Sequence, residues 1–164
     1  MFSVQRICFV CLGNIVRSPL AENLFINLAD QAGVAGSYEV DSAGTSAWHI
    51  GEPPDSRMRR EAARHDLSYD GRSRQFQHRD LDRYDLILAM DKENHDDLSN
   101  MARTPEQEAK IHLLRDYDPR GGSNLSVPDP YYAGRDAFEE VYVIIEHSVR
   151  GLLQQLEADR QENK

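Results

Sequence analysis

The sequence predicts an α/β fold in which a mostly parallel sheet carries helices on both faces. Short apolar segments typical of buried strands alternate with segments whose apolar residues recur at helical spacing. This alternation favours a parallel sheet, because consecutive parallel strands are joined by a crossover helix. The 164 residues, 40% of them apolar, contain no repeat or linker. We therefore expect residues 1–164 to form a single domain, with residues 157–164 as a frayed tail.

The first half of the chain contains two predicted strands and two predicted helices. Residues 4–10, VQRICFV, are predicted as a short buried strand, and a helix with one apolar face follows. Ser18 is expected to cap that helix, with Pro19 at its first position and Gly33 at its end. SYEVDSAGT is predicted as the second strand, closed by Gly44, and GEPPDSRMRREAARHD is predicted to become helical after its prolines.

The second half of the chain predicts two more strands and a long final helix. YDLILAM is a strong third strand, preceded by a short strand or loop near SYDGRSRQ. DKENHDDLSNM predicts a short polar helix, and AKIHLL a further strand. A loop over residues 116–134, rich in Gly, Ser, Asn and Pro, precedes the final helix. Ligands of such folds bind at the carboxyl ends of the strands, often after the first strand.

Charge and composition exclude several classes of function. The formal charge of −9 disfavours broad binding to nucleic acid or to anionic membranes. No apolar stretch approaches the roughly 20 residues that cross a bilayer, and the two cysteines do not suggest a disulfide scaffold. The scattered histidines lack zinc-site spacing, and DKENHDD lacks the glycine of a calcium loop. We expect a cytoplasmic protein with no metal, no cofactor, and no nucleic-acid or membrane partner.

The segment CFVCLGNIVRSPLAE, residues 8–22, places Cys11 and Arg17 at the two ends of a tight turn between a strand and a helix. Backbone N–H groups of so short a loop, together with the helix N-terminus, can converge on one oxyanion. Arg17 can add a planar bidentate fork, and Gly13 and Asn14 tolerate the left-handed backbone of such a loop. These positive groups favour the thiolate of Cys11, a nucleophile directed at phosphorus.

Other interpretations of this segment stay open at this point. A cysteine near the end of a strand is commonly a small core residue, and the spacing of Cys11 and Arg17 also occurs by chance. The position between strand and helix, followed by Ser-Pro, favours catalysis. No Gly-Lys-Ser/Thr is present, so a Walker loop has no support. Cys8 and Cys11 form a C-x-x-C that could be a redox pair, but Cys8 lies inside the apolar strand and is expected to pack in the core.

A second candidate group is Asp129 in VPDPYYAG. Cleavage of a phosphate ester needs a proton donor for the leaving oxygen and then a base for water, and one carboxyl group can do both. The flanking prolines limit the backbone freedom of Asp129, although Asp-Pro is also an ordinary turn signal. Tyr131, Tyr132 and Trp48 lie in polar, turn-rich segments and either stack on an aryl group or cover the edge of the core.

Together these residues resemble the low-molecular-weight protein tyrosine phosphatase family over nearly the whole chain. FVCLGNIVRSPLAE resembles its phosphate loop, DSAGT its second strand, AMDKEN the segment after a later strand, and DPYY its general-acid loop. The resemblance implies a single-domain three-layer sandwich, with a four-stranded parallel sheet flanked by helices and the phosphate loop after strand 1. It also implies metal-independent hydrolysis of phosphotyrosine in proteins, and of small aryl phosphates, through a phosphocysteine intermediate.

The resemblance also assigns roles to individual residues. Cys11 is the implied nucleophile, Arg17 the phosphate clamp and Asp129 the acid and then the base. Ser42 is expected to support the loop together with Asn14 and Ser18. The expected partners are phosphotyrosine-containing proteins and a phosphate or other oxyanion in the loop, and we expect a monomer. The residues expected to bind substrate are Leu12, Gly13, Asn14, Ile15, Val16, Ser18, Trp48, Tyr131 and Tyr132.

Departures from the family pattern leave alternatives. Many relatives carry a histidine where this chain has Gly71, so one member of the loop-supporting network is expected to be absent. Protein-arginine phosphatases of the same fold favour threonine where Ile15 stands, and thiol-dependent arsenate reductases need further cysteines. A non-catalytic phosphate-binding module would need neither a thiolate nor an acid. The RMRREAAR cluster is either an exposed helix stripe or a recruiter of acidic peptides.

Overall fold

Four parallel strands form one sheet in the computed structural model, which describes residues 3–163. The strand order is β2-β1-β3-β4, so the first strand lies in the middle. Cys11 of β1 is in register with Gly44 of β2, and Val10 is in register with Ala89 of β3. The strands are β1 (Gln5–Cys11), β2 (Tyr38–Gly44), β3 (Leu86–Ala89) and β4 (Ile111–Leu113).

Helices cover both faces of this sheet and complete the three layers. Side chains of β1 alternate between the faces, as in any strand. Ile7, Phe9 and Cys11 pack in the core formed with α1, α2 and α6, whereas Cys8 and Val10 pack with α3 and α4. The helices are α1 (Arg17–Gln31), α2 (Ser56–Ala63), α3 (Asp80–Arg83), α4 (Lys92–Met101), α5 (Pro105–Glu108) and α6 (Arg135–Glu162).

The strand order creates a crevice at the carboxyl end of β1. From β1 the chain passes through α1 on one face of the sheet, and from β3 it passes through α4 on the other face. The loops that follow these neighbouring strands therefore diverge, and a ligand can enter between them. The sequence prediction of a ligand site after the first strand agrees with this topology. No helix among residues 3–163 combines the length and apolarity needed to span a bilayer.

The predicted four-stranded parallel sheet flanked by helices is confirmed, but the prediction that Ser18 caps the first helix is wrong. The helix begins at Arg17, with Val16 as the N-cap residue, so Pro19 occupies its third position. The Ser18 hydroxyl is 3.1 Å from the Cys11 sulfur and accepts a hydrogen bond from Asn14, so it is not available to cap the helix. The segment near SYDGRSRQ is a loop with a single bridge to β2.

The prediction of a frayed tail over residues 157–164 is wrong for residues 157–162, because α6 continues to Glu162. The hydroxyl of Tyr38, on β2, donates a hydrogen bond to Glu157. Arg160 adds an ion pair to the same carboxylate, with 2.8 Å between the guanidinium and Oε1. These contacts fix the end of α6 against the sheet. Lys164 lies outside the described residues.

The contact between Tyr38 and Glu157 predicts a measurable contribution to stability. Tyr38→Phe keeps the ring contact with Phe25, whose centroid is 5.1 Å away, and removes only the hydroxyl. We expect the free energy of unfolding to fall by about 1.5–3 kcal/mol, the usual contribution of a hydrogen bond to a charged group. Urea denaturation measures the change. Tyr132→Phe is the matched control, since Tyr132 is exposed, and equal effects of the two substitutions would contradict the prediction.

Candidate active site

The loop between β1 and α1, residues 12–16, has several carbonyl oxygens held outward by neighbouring segments. Because a peptide unit is planar and trans, a carbonyl fixed outward points the next N–H to the opposite side. The N–H of Asn14 shows the result, since it donates to the Cys11 sulfur at 3.3 Å. The loop thus forms a concavity around that sulfur, a geometry that suits an anion. The outward bonds run from Thr45 N–H to Cys11 O (2.9 Å), Ser46 N–H to Leu12 O (3.0 Å), Ser73 Oγ to Gly13 O (2.9 Å) and Asp55 N–H to Ile15 O (2.8 Å).

The side chain of Asn14 connects this loop to its surroundings. Asn14 is buried and has a left-handed backbone, with φ of 56°. Its amide nitrogen donates to Ser18 Oγ at 2.8 Å and to Ser42 Oγ at 2.9 Å, and its oxygen accepts from the Arg74 N–H at 3.0 Å. The side chains of Asn14 and Ser18 therefore lie beneath the loop, with Ser42, and do not line the cleft.

Cys11 lies at the floor of the cleft, with only 2% of its surface exposed. The oxygen of Ser18 accepts from Asn14, and its hydroxyl lies 3.1 Å from the Cys11 sulfur and 3.4 Å from the Ala43 carbonyl oxygen, the two acceptors for its proton. A thiolate accepts such a bond more strongly than a thiol does. The Cys11 sulfur therefore faces two potential hydrogen-bond donors, the N–H of Asn14 and the hydroxyl of Ser18.

Arg17 is buried beside the sulfur and is held at several points. One guanidinium nitrogen donates to Asp91 Oδ2 at 2.7 Å and to Val127 O at 2.9 Å, and the other lies 3.5 Å from Asp129 Oδ2. Burial by itself would lower the pKa of Arg17, but the negative charges of Cys11, Asp91 and Asp129 raise it above its ordinary value. The guanidinium therefore stays charged and cannot rotate freely.

Asp91 is a site residue that sequence reasoning did not identify. It follows β3, and its Oδ1 accepts the N–H of Asn94 at 2.8 Å as the N-cap of α4. Its second oxygen binds Arg17. An aspartate between a strand and a helix is a capping signal in the sequence, but its contact with Arg17 depends on the adjacent positions of β1 and β3.

Asp129 and the predicted aromatic residues form the walls of the cleft. The Oδ1 atom of Asp129 accepts the N–H of Tyr131 at 3.1 Å, which leaves Oδ2 facing Arg17. The rings of Tyr131 and Tyr132 meet edge to face with centroids 4.9 Å apart. Trp48, which is 75% exposed, lies on the rim. The structure therefore brings together candidate residues that are more than a hundred positions apart in the sequence.

His49 is a second cleft residue absent from the sequence prediction. Its ring centroid lies 5.8 Å from that of Tyr131. A Cβ atom at Gly13 would lie 2.8 Å from a ring carbon of His49, so the loop approaches this ring as closely as a glycine allows. No spacing in the sequence indicates this contact.

The two cysteines, Cys8 and Cys11, point to opposite faces of β1 and cannot form a pair. Burial raises the pKa of the Cys8 thiol well above its ordinary value. Cys8 is therefore a core residue, as the sequence predicted, and the C-x-x-C is not a redox couple. Among residues 3–163 no group of three or more His, Cys, Asp or Glu side chains is arranged to hold a metal ion.

A small cavity of about 140 Å³ opens behind the loop, beside Gly71 and Glu22. Ser42 donates to Glu22 Oε1 at 2.6 Å, so Glu22 ends the chain of hydrogen bonds that begins at Cys11. Burial raises the pKa of Glu22 to about 7, although the bond from Ser42 acts in the opposite direction. Gly71 supplies no side chain here, as expected, but the Arg74 N–H satisfies the oxygen of Asn14.

A thiol surrounded by amide groups and a fixed guanidinium is what cysteine-dependent phosphoryl transfer requires. The fold and the site thus define the class of cysteine-dependent phosphatases. The sequence model of the low molecular weight phosphotyrosine protein phosphatase family matches residues 6–162 of this chain. A low molecular weight protein-tyrosine-phosphatase of Streptomyces coelicolor is 46% identical over 149 residues, 90% of this chain and 91% of the relative.

Two solved structures show the same fold. A protein tyrosine phosphatase from Entamoeba histolytica, with Hepes in the active site, gives a TM-score of 0.90 at 34% identity, covering 95% of this chain and 99% of that one. A Drosophila arginine phosphatase gives a TM-score of 0.85 at 33% identity, covering 92% and 96%. The chain belongs to the low molecular weight phosphotyrosine protein phosphatase family, a cysteine-dependent and metal-independent class of protein tyrosine phosphatases.

The buried carboxyl group of Glu22 predicts a pH-dependent stability. Its pKa in the folded state, about 7, lies above its ordinary value near 4.5, so its contribution to folding is present below pH 4.5 and is lost as the pH rises through 7. Glu22→Gln cannot ionise and still accepts from Ser42. As the pH rises from about 4.5 to about 7, we expect the free energy of unfolding of Glu22→Gln to rise by about 2–3 kcal/mol relative to that of the wild type.

Urea denaturation at a series of pH values measures this difference. Glu93→Gln, at an exposed glutamate on α4, controls for the substitution itself. A difference between Glu22→Gln and wild type that is the same at pH 5 and pH 8 would contradict the prediction.

Proposed function

We propose that this protein hydrolyses phosphotyrosine in proteins, and small aryl phosphates, through a phosphocysteine intermediate. The Cys11 thiolate attacks phosphorus, an S–P bond forms and the ester P–O bond breaks, while Asp129 gives its proton to the leaving oxygen. Water then attacks the phosphocysteine, Asp129 accepts its proton, and the S–P bond breaks to release phosphate and the thiolate. The observation that carries this proposal is the position of the Cys11 sulfur at the floor of a ring of amide groups, beside Arg17.

Stabilisation of the transition state comes from groups that are already in place. We assign the amides of residues 12–16 and the guanidinium of Arg17 to the equatorial phosphate oxygens, because the loop carbonyls are bonded outward and Arg17 lines the cleft. Because Asp91 and Val127 hold Arg17, no reorganisation is needed when charge develops. Hepes in the active site of the Entamoeba relative supports this assignment, since a sulfonate has the tetrahedral geometry of phosphate.

Asp129 is placed for both proton transfers. Its side chain is 39% exposed, so it can exchange protons with solvent between the two steps. The bond from the Tyr131 N–H fixes one oxygen, and the other remains directed into the cleft beside Arg17. A positioned carboxyl group of this kind contributes about 10²–10⁴-fold to the rate.

The walls of the cleft favour an aryl substrate. Tyr131 and Trp48 line the same cleft as Cys11 and can flank a phenyl ring. A phosphoserine is shorter, cannot stack, and would reach the buried sulfur less well. We therefore assign phosphotyrosine-containing proteins as the partners. We also propose that the enzyme is a monomer and acts in the cytoplasm.

Phosphoarginine is the second candidate substrate, because a similar structure is a Drosophila arginine phosphatase. In this chain the loop position that favours threonine in such enzymes is Ile15, an apolar residue that lines the cleft. An isoleucine offers an apolar contact to a phenyl ring and no hydroxyl for a guanidinium, and it therefore supports phosphotyrosine as the substrate.

Cys11→Ser tests the nucleophile and the substrate together. We expect the variant to lose turnover of a phosphotyrosine peptide by at least about 10⁴-fold, because a serine hydroxyl is a far weaker nucleophile at this site. Phosphoserine and phosphoarginine peptides are assayed beside it. The variant should still bind inorganic phosphate. Phosphate release from the three peptides by the wild type identifies the substrate, and Cys8→Ser is the matched control. Activity of Cys11→Ser near that of the wild type would remove the nucleophile assignment.

Asp129→Ala tests the general acid through the leaving group. Loss of about 100-fold or more is expected for phenyl phosphate, whose leaving oxygen needs a proton, and a much smaller loss for p-nitrophenyl phosphate. Steady-state kinetics with both esters measure the ratio. Asp97→Ala, at an exposed residue of α4, controls for loss of a carboxylate. Equal losses for the two esters would mean that another group protonates the leaving oxygen.

A further inference from the structure

A second concave surface lies beside the cleft, between α2 and the beginning of α6. We call it the arginine groove, and its walls include Arg57, Arg60, Arg64, Arg135 and Phe138. Its volume is about 320 Å³. The RMRREAAR segment supplies the first three arginines, whereas Arg135 comes from the first residue of α6. Cations from two separate elements therefore converge on one surface, which a single exposed helix stripe does not explain.

The charge of the arginine groove opposes that of the whole molecule. Four arginines line it against one glutamate, in a chain whose formal charge is −9, and one of the four, Arg57, is paired with Asp55 at 2.8 Å. The carboxylate of Glu61 already lies near Arg64, at 3.6 Å, and His65, at 3.3 Å. The side chains of Arg60 and Arg135 have no hydrogen-bond or ion-pair partner among residues 3–163, and both residues are exposed. These two guanidinium groups are free to bind an external anion.

The arginine groove is continuous with the cleft through Arg57. Its guanidinium donates to Tyr131 O at 2.8 Å and stacks on the rings of Tyr131 and Phe138, at 5.2 and 4.6 Å from their centroids. Tyr131 is a wall of the cleft, and Phe138 a wall of the groove. The Cα atoms of Tyr131 and Arg135 can lie at most about 14 Å apart, because four residues span no more than ~3.6 Å each. A peptide bound in the cleft can therefore reach the groove within a few residues.

We propose that the arginine groove binds acidic side chains close to the phosphotyrosine of the protein substrate, an inference that rests on the proposed function. Guanidinium groups bind carboxylates through paired, charge-assisted hydrogen bonds. The N-terminus of α6, whose N-cap residue Gly134 offers no side-chain cap, adds a favourable dipole. Asp136 lies in the same first turn but is not a wall of the groove. The enzyme thereby selects substrates in which glutamate or aspartate flanks the phosphotyrosine.

Charge reversal at the two unpartnered arginines tests this proposal. The substrates are three phosphotyrosine peptides, with glutamates on the N-terminal side, glutamates on the C-terminal side or no charge, together with p-nitrophenyl phosphate. The wild type is expected to prefer one acidic peptide to the neutral peptide by about fivefold or more in kcat/KM. In Arg60→Glu/Arg135→Glu this preference should disappear, mainly through a rise in KM of about tenfold, while the rates for p-nitrophenyl phosphate and the neutral peptide stay within about twofold.

The matched control is Arg79→Glu/Arg103→Glu. It makes the same change in net charge at exposed arginines that line neither the cleft nor the groove. We expect it to keep the preference for the acidic peptide, and we expect roughly 0.5 M NaCl to weaken that preference in the wild type. Equal losses in the two double variants would show a general charge effect and overturn the proposal.

Two further outcomes would also overturn the assignment. The first is a wild type that shows no preference between acidic and neutral peptides. The second is an Arg60→Glu/Arg135→Glu variant whose peptide kinetics match those of the wild type but which, unlike the wild type, does not sediment with phosphatidylserine vesicles. That result would assign the groove to a membrane surface. Failure of the proposed function is distinct from both, because the wild type would then not turn over p-nitrophenyl phosphate or any phosphotyrosine peptide.

Discussion

The buried amide of Asn14 is the interaction on which the active site depends. Its left-handed backbone is costly for a residue other than glycine, and its burial requires that every polar atom be bonded. The hydrogen bonds to Ser18, Ser42 and Arg74 meet both conditions, and they join the loop to α1, β2 and the segment before α3. The position of the backbone N–H groups around Cys11 is therefore a property of the whole fold and not of the loop alone.

The sheet supplies the second constraint, because the loop is packed against the end of β2. A Cβ atom at Gly44 would lie 2.8 Å from the carbonyl oxygen of Leu12, so only glycine permits this approach. On the other side of β1, the end of β3 brings Asp91 within 2.7 Å of Arg17. The two neighbours of the central strand thus position the loop and its guanidinium from opposite directions, and the order β2-β1-β3-β4 is part of the catalytic arrangement.

The sequence correctly predicted the structural elements that depend on local runs and spacings of residues. The strands followed from apolar runs. Asp129 was a candidate because the chemistry of Cys11 needs an acid and prolines flank this aspartate, and the resemblance to a family then assigned its role. Predictions from local patterns failed where a side chain makes a tertiary contact. Ser18 contacts the Cys11 sulfur and does not cap α1. The polar composition of residues 157–164 predicted a frayed tail, but Tyr38 binds Glu157 and holds this segment. Asp91 and His49 were missed for the same reason, since their roles arise from neighbouring strands and loops that periodicity does not reveal.

The alternation of side chains along β1 has a consequence for oxidative damage. Peroxide converts a reactive thiolate to a sulfenic acid, which a nearby second thiol can trap as a reversible disulfide. The chain has only one other cysteine, Cys8, and the strand directs its side chain into the opposite core. The residue just before Arg17 in the cleft, Val16, carries no thiol. Neither position offers a second thiol to trap the oxidised sulfur as a disulfide, which leaves it open to further oxidation to the sulfinic state, from which ordinary thiol reductants do not return it.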